Sequence, residues 1–192
     1  MLDLTIKTER LALRPFRPHD GPAVEKFAGD WDVARMTTKI PHPYPAGAGQ
    51  AWIAAHAAAR RDGSNYPFAV TCENELVGCV GLNNLERGSW GQRVPDDRTT
   101  VELGYWIGRP FWGRGFATEA RAAAIEFAFD WLGKTHLVAG CFKDNACSRR
   151  VLEKHGFAVD GSRMLRSAAQ GRDVECTLMA PLTRDAWAAK KV

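Results

Sequence analysis

Short apolar segments separated by turn residues predict a series of β-strands along the chain. The glycine and proline residues between these segments, such as Pro15 and Gly171, mark their ends. Within the segment 76–85, Gly78 and Gly81 indicate a bulge or a close backbone approach. The predicted strands cover residues 11–14, 67–71, 76–85, 99–107, 136–142, 158–166 and 172–179.

A helical period of apolar residues appears most clearly in one segment of the second half. Ala123, Phe127 and Ala128 fall on one face and predict an amphipathic helix over 118–132. Shorter helices are predicted by caps and alanine content, with Asp20 and Gly156 as the clearest cap residues. They cover residues 20–29, 31–38, 48–61 and 146–155.

The order of these elements favours a mixed α/β (α+β) sheet domain over a doubly wound fold. The length of 192 residues favours one domain over 1–192, with a core of useful size. Three prolines between 40 and 45 force an extended loop, and the polar segment 86–98 predicts another.

Composition and charge narrow the classes of partner. Residues 1–96 carry 11 basic and 11 acidic side chains, so the net charge of +4 arises in the second half. A mild, localised excess suits a small polyanionic ligand better than a nucleic acid, particularly because acids alternate with Arg109, Arg114 and Arg121. Five cysteines without C-x-x-C spacing are typical of reduced thiols, which favours a cytoplasmic protein.

No targeting or metal-binding pattern is evident in the sequence. No apolar run reaches the ~18 residues of a membrane span, and the first ten residues do not resemble a secretory signal. No His, Cys or Asp cluster has metal-ligand spacing, so we expect no metal site.

Residues 107–120, IGRPFWGRGFATEA, carry the strongest chemical signal. A strand is followed by a glycine-rich turn and a helix start, which together present backbone N–H groups and a positive helix end. Arg114 adds a mobile positive charge. This combination predicts a phosphate-binding site, although a tight turn into a helix is the simpler alternative.

Two familiar phosphate motifs fit this loop poorly. The Walker pattern from Gly108 has Arg114 in place of lysine and Gly115 in place of the Mg²⁺-binding hydroxyl. The dinucleotide pattern G-x-G-x-x-G fits Gly113 and Gly115 but has Thr118 in place of the last glycine. The third candidate is the pyrophosphate loop of acetyl-CoA-dependent N-acetyltransferases.

Residues 101–120 and 144–157 resemble the two signature blocks of the GNAT superfamily of N-acetyltransferases, specifically its RimJ/RimL-like branch. The opening TERLALRPF and the IPHPYP loop resemble the same branch. The resemblance implies a twisted, mostly antiparallel sheet with helices on both faces and central strands splayed at the acetyl-CoA site. Trp112 departs from the family pattern, where Gln or Arg is usual.

The resemblance also implies which residues hold acetyl-CoA. Backbone amides between 113 and 118 would bind the pyrophosphate, and the end of the strand 99–107 would pair with the pantetheine arm. Asn145 is predicted from its position to cap the helix, and the resemblance adds a contact to the pantetheine. Either Arg149 or Arg150 could meet a CoA phosphate, with a solvated surface arginine as the alternative. The implied cofactor-binding residues are Tyr105, Trp106, Ile107, Gly113, Arg114, Gly115, Phe116, Ala117, Thr118, Asn145, Ser148 and Arg149.

Two residues are predicted to act in catalysis. Glu102 lies among apolar neighbours on a strand, so its carboxylate must face a cleft or a cationic partner, and we expect it to be the general base. The resemblance places a general-acid tyrosine at position 152, but Leu152 stands there. The resemblance to the RimL-like branch implies that Ser148 takes this role and donates a hydrogen bond to the CoA sulfur, with a backbone-bonding helix serine as the alternative.

The resemblance implies that the acceptor is a primary amine, with a protein N-terminal α-amine favoured over a small amine or aminoglycoside. Trp31, His42 and Tyr44 are predicted to bind it, in a groove formed by residues 31–45 and the turn 163–171. The missing tyrosine leaves a non-catalytic acyl-CoA sensor as an alternative. A nucleic-acid-binding module is disfavoured, and the chain is expected to be a monomer or homodimer.

Overall fold

A computed structural model describes residues 4–84 and 98–190. Within these residues the chain forms an eight-stranded sheet in the order β1-β2-β3-β4-β5-β6-β8-β7. Neighbouring strands are antiparallel except for β5 and β6, which are parallel. The strands are β1 Ile6–Lys7, β2 Ala12–Arg14, β3 Asn65–Cys72, β4 Glu75–Asn83, β5 Thr100–Ile107, β6 His136–Phe142, β7 Val159–Ser167 and β8 Arg172–Thr183.

Seven α-helices accompany the sheet within the described residues. They are α1 Gly21–Ala28, α2 Trp31–Ala34, α3 Ala48–Ala54, α4 His56–Arg61, α5 Phe116–Glu126, α6 Ala146–Lys154 and α7 Arg184–Ala189. Helix α5 continues into a π-helical segment, Phe127–Trp131. No helix in the described ranges is long and apolar enough to span a membrane.

The helices cover both faces of the sheet, as the sequence predicts. Successive residues of a strand point to opposite faces, so Phe68 and Ala69 of β3 mark the two sides. The Phe68 ring packs on Phe127, which directly follows α5. On the opposite face Arg14, the β2 neighbour of Ala69, bonds Asp20 at the start of α1. The apolar core therefore has two layers, one on each side of β3 to β6.

Several predicted boundaries are wrong. Helix α2 ends at Ala34 and not at residue 38, and the helix predicted over 48–61 breaks at Ala55, whose N–H bonds the carbonyl of Trp52 three residues back. Helix α5 begins at Phe116, two residues early, because Gly115 turns the chain in a left-handed conformation with φ of 79°. Strand β1 and helix α7 were not predicted.

Other predictions are confirmed closely. Strand β6 spans the predicted residues. Helix α6 ends at Lys154, one residue before the predicted end at residue 155. Asn145 caps α6, because its Oδ1 accepts a hydrogen bond from the Ser148 amide at 3.0 Å. Most of the predicted loop 86–98, together with residue 85 of the predicted strand, lies outside the described residues.

Candidate active site

The central parallel strands separate partway along their length. Strands β5 and β6 pair through Thr100, Val101 and Glu102 of β5, and the last pair joins Glu102 to Val138. Beyond that pair both strands continue, to Ile107 and Phe142, without pairing to each other. We call the gap between residues 103–107 and 139–142 the wedge. Its edges carry backbone groups that can pair with an extended ligand.

The glycine-rich loop, residues 108–117, lies where β5 ends and α5 begins. Gly113 and Gly115 have φ angles of 75° and 79°, which residues with a Cβ rarely adopt. A Cβ at Gly115 would also lie 3.3 Å from the Arg10 guanidinium. No side chain caps the N-terminus of α5, so its first N–H groups, starting at Phe116, remain available to an anion.

An N-terminal segment holds this loop in place. Arg10 Nη1 donates to the Arg114 carbonyl at 2.8 Å, while Arg10 Nη2 lies 2.7 Å from Glu119 in the first turn of α5. Glu119 also accepts from the Arg10 amide at 2.8 Å and from the Thr8 hydroxyl at 2.5 Å. Burial raises the pKa of Glu119, but these hydrogen bonds outweigh it and leave the pKa below its usual value.

Sequence reasoning missed Thr8, Arg10 and Glu119 as parts of the site. Arg10 and Glu119 are 109 residues apart, so no local pattern connects them. The signal available in the sequence is that Glu119 is an acidic residue in the first turn of a helix, where the positive helix end stabilises a negative charge.

Glu102 marks the closed end of the wedge. It pairs with Asn83 of β4 and Val138 of β6, and only 5% of the residue is exposed. Its side chain lies on the sheet face opposite to that of Tyr105, because the two residues differ by an odd number along β5. It shares its face with Trp106 and with Cys79, the cross-strand neighbour of Trp106.

The remaining predicted residues of β5 line one edge of the wedge. Tyr105 is partly buried, whereas Trp106 and Ile107 are buried. The loop is fastened to the end of this strand by Trp112, whose Nε1 donates to the Ile107 carbonyl at 2.6 Å. The residue that departs from the family pattern therefore holds the loop through a main-chain contact.

The start of α6 places three predicted residues next to β6. Ser148 is buried in the first turn, and its amide is engaged by the Asn145 cap. Arg149 is half exposed and its Nε lies 2.8 Å from Glu153, one turn along the same helix. The structure thus buries Ser148 in the first turn of α6 and gives Arg149 an intrahelical partner.

Trp31, His42 and Tyr44 lie together on the side of α1 and α2. The Trp31 and His42 rings are 5.1 Å apart, and His42 Nδ1 lies 2.9 Å from the Gly29 carbonyl. Tyr44 packs on Gly29, where an added Cβ would lie 2.7 Å from the tyrosine Cβ. Burial raises the pKa of Tyr44, and the nearby Glu25 and Cys79 add to this shift. Since Cys79 shares a face with Glu102, these residues lie on the Glu102 side of the sheet.

The turn between β7 and β8 is tied to the segment that follows α2. Gln170 Nε2 donates to the Arg35 carbonyl at 2.7 Å, and the Ala168 amide donates to the Thr38 carbonyl at 2.9 Å. Ser167 Oγ donates to the Thr37 carbonyl at 3.3 Å. The two segments predicted to form the acceptor groove are therefore adjacent in the fold.

An open cavity of about 620 Å³ adjoins the glycine-rich loop. It is lined by Glu9, Arg10, Cys72, Glu73, Arg114 and Phe116. The Arg10 and Arg114 guanidinium groups lie 5.1 and 5.9 Å from the Phe116 ring. Among the described residues no group of three His, Cys, Asp or Glu side chains could hold a metal ion.

The parallel strand pair thus splits beside a glycine-rich loop and the uncapped start of α5. The comparisons identify the class. Residues 10–158 match the acetyltransferase (GNAT) domain family, and the chain belongs to that family. It is an N-acetyltransferase of the RimJ/RimL-like branch, as the sequence motifs indicate.

Two curated relatives match most of the chain. An uncharacterized N-acetyltransferase p20 of Bacillus licheniformis is 24% identical over 94% of this chain and 97% of its own length. The [ribosomal protein uS5]-alanine N-acetyltransferase of Escherichia coli is 26% identical over 81% of this chain and 79% of its own length.

Among solved structures, RimL, a ribosomal L7/L12 alpha-N-protein acetyltransferase in complex with coenzyme A, superposes with a TM-score of 0.77. The alignment covers 95% of this chain and 99% of that chain at 16% identity. At this level of identity the likeness establishes the shared fold, including the mixed sheet with helices on both faces.

Proposed function

We propose that this protein transfers the acetyl group of acetyl-CoA to the N-terminal α-amine of a protein, in a ternary complex. The observation that carries the proposal is the wedge, which begins at Glu102 and opens beside the glycine-rich loop. The names of the curated relatives support a protein acceptor, since one acts on the alanine of a ribosomal protein. The free state of all five cysteines supports a cytoplasmic location.

The residues fit acetyl-CoA along one path. Backbone amides of residues 113–118 would bind the pyrophosphate, assisted by Arg114 and by the positive end of α5. The free edge of β5 at Tyr105, Trp106 and Ile107 would pair with the pantetheine amides. This path directs the thioester toward the closed end of the wedge, where it would supply the acetyl group.

The acceptor would enter from the opposite face of the sheet from α5. Trp31, His42 and Tyr44 lie on that face, beside the segment tied to the β7–β8 turn. Glu102 shares the face and would take a proton from the acceptor ammonium, directly or through water, so that the neutral amine can attack the thioester. An α-amine, with a pKa near ~8, needs less help to lose its proton than a lysine side chain near ~10.4.

Asn145, Ser148 and Arg149 complete the proposed site at the start of α6. The Asn145 cap fixes the first turn of this helix, in which Ser148 is buried. The Ser148 hydroxyl would donate a hydrogen bond to the sulfur of CoA. Arg149 would contact a CoA phosphate after exchanging its ion pair with Glu153.

Calorimetric titration with acetyl-CoA, followed by thiol release, tests the proposal. Acceptor sets would contain N-terminal peptides, polyamines and aminoglycosides. We expect binding by the wild type, loss of binding in Gly115→Glu, and thiol release with peptides. Gly133→Glu is a matched control, because Gly133 also has a positive φ of 63° with no atom within 4 Å of an added Cβ.

Each contrary result removes a distinct part of the proposal. Binding retained by Gly115→Glu would reject the loop as the pyrophosphate site. Release with aminoglycosides or polyamines alone would replace the acceptor class. Binding without release for any acceptor would favour an acyl-CoA sensor.

A further inference from the structure

The largest fully buried side chain in the described residues is a cation. Arg121, in the second turn of α5, is only 1% exposed. Its Nε and Nη2 have no hydrogen-bond partner within residues 4–84 and 98–190. Burying a charge without a carboxylate is strongly unfavourable, so a protein retains one only where something compensates for it.

Neutral groups surround this guanidinium. Its Cζ lies 4.9 Å from the centre of the Tyr105 ring and 5.8 Å from that of Phe157. Burial lowers the pKa of Arg121, while the Tyr105 phenol and the Cys141 thiol act in the opposite direction. An arginine nevertheless stays protonated in a protein, so a positive charge without a matching anion is held here.

The strand register places that charge at the wedge. The last pair of the parallel strands is Glu102 with Val138, so Tyr105 and Cys141 each lie three residues beyond it. They face each other across the wedge, about 10 Å from its closed end at ~3.3 Å per residue. Arg121 contacts the Tyr105 ring. It also lowers the pKa of the Cys141 thiol, although burial raises that pKa by more.

A purely structural role for Arg121 would be to pack its planar guanidinium between the Tyr105 and Phe157 rings. Arg60 serves as a comparison, since it lies 4.6 Å from the centre of the Phe68 ring and its Nε is also unpaired. Arg60, however, donates through Nη2 to the Pro67 carbonyl, and it packs on β3, away from the wedge. Arg121 differs in having two unpaired nitrogens and in contacting Tyr105, on a strand that lines the wedge.

We propose that Arg121 stabilises the CoA thiolate that forms in the wedge when the thioester is cleaved. The amine nitrogen bonds to the carbonyl carbon, the C–S bond breaks, and its electron pair goes to sulfur as the amine proton passes to the base. The positive charge of Arg121 then meets a negative charge that is absent from acetyl-CoA. This role rests on the proposed function and supplies stabilisation that Leu152 cannot give.

The test compares two ligands that differ in one ionisable group. Isothermal titration of CoA and of acetyl-CoA, each from pH 6.5 to 8.5 under reducing conditions, yields the ratio of their affinities. Titratable groups facing Arg121 are Tyr105 on β5, Cys141 on β6 and His155 at the end of α6, with Arg149 and Glu153 near Cys141. They are common to both titrations and to the variant, so the ratio isolates the CoA thiol.

In the wild type the ratio of CoA affinity to acetyl-CoA affinity should grow about tenfold from pH 6.5 to pH 8.5. This magnitude corresponds to a bound CoA thiol whose pKa lies ~1.5 units below the value of ~8.5 for a free thiol. Arg121→Met should abolish the growth, and Arg121→Lys should restore part of it. Arg60→Met is the matched control and should leave it intact. Arg121→Met should fold at least as stably as the wild type, because it removes an unpaired buried charge.

The possible failures differ from one another. An equal pH dependence of the affinity ratio in the wild type and in folded Arg121→Met would overturn the role of Arg121 while leaving the acetyl-CoA site standing. An affinity ratio that does not change with pH in the wild type would also overturn the role of Arg121 and leave the acetyl-CoA site standing. Absence of binding by both ligands to the wild type would overturn the proposed function and this inference together.

Discussion

Replacing Glu119 with glutamine tests the contacts that fix the glycine-rich loop. The carboxylate accepts from Thr8 and twice from Arg10, and it pairs with the Arg10 guanidinium. Hydrogen bonds to a charged group contribute about 1.5–3 kcal/mol each. The ion pair itself adds only about 0–1 kcal/mol, because the Arg10 side chain is 45% exposed and screened by solvent.

Glutamine keeps one acceptor oxygen and loses the charge, so we expect a loss of about 1–2 kcal/mol in the free energy of unfolding. For a domain of this size the melting temperature should fall by about 3–6 °C. Acetyl-CoA affinity should fall too, since Arg10 also holds the Arg114 carbonyl. Scanning calorimetry measures the first effect and calorimetric titration the second.

Acidification gives this prediction a second readout. The lowered pKa of folded Glu119 stabilises the protein at pH values above the unfolded value of 4.5. That stabilisation disappears as the pH falls through the lower folded value, so the difference between wild type and variant should narrow.

Glu175→Gln serves as the control for this variant, because it removes a solvent-exposed pair with Lys143 and should leave the melting temperature unchanged. Equal melting temperatures for Glu119→Gln and Glu175→Gln at neutral pH would refute the reasoning.

Two further predictions concern the proposed catalytic residues. Glu102→Gln should lower kcat by about 100-fold or more at neutral pH, and an unchanged pH–rate profile would show that Glu102 is not the base. Ser148→Ala should slow thiol release by about tenfold if the hydroxyl donates to sulfur. Its melting temperature should match that of the wild type, because Asn145 is bonded by the Ser148 amide and not by its hydroxyl; an unchanged kcat would assign Ser148 a structural role.

Local signals predicted the elements that frame the site. The Asn145 cap and the β6 strand were predicted correctly, because both depend on residues that are close together in the sequence. The wedge was expected only from the resemblance, and the register shows where it begins, at Glu102 and Val138. The hydrophobic periodicity of one strand does not indicate where the neighbouring strand stops pairing with it.

Long-range contacts account for what was missed. The Arg10 contacts to Glu119 and Arg114 join residues more than a hundred positions apart. The sequence analysis used Arg121 only as one of the arginines that alternate with acidic residues, and the structure buries it completely. A charged residue within an alanine-rich helix gives no local indication that its face will be covered by a tyrosine and a phenylalanine from distant segments.

The tie between the β7–β8 turn and the segment after α2 has a consequence for evolution. On that segment the accepting groups are the main-chain carbonyls of Arg35, Thr37 and Thr38, so the tie does not depend on which side chains occupy these positions. On the turn, by contrast, Ser167 and Gln170 contribute their own side chains. If this segment lines the acceptor groove as proposed, substitutions at 35, 37 and 38 can change the acceptor preference while these hydrogen bonds stay in place. Changes at 167 and 170 would remove hydrogen bonds that hold the turn to the segment.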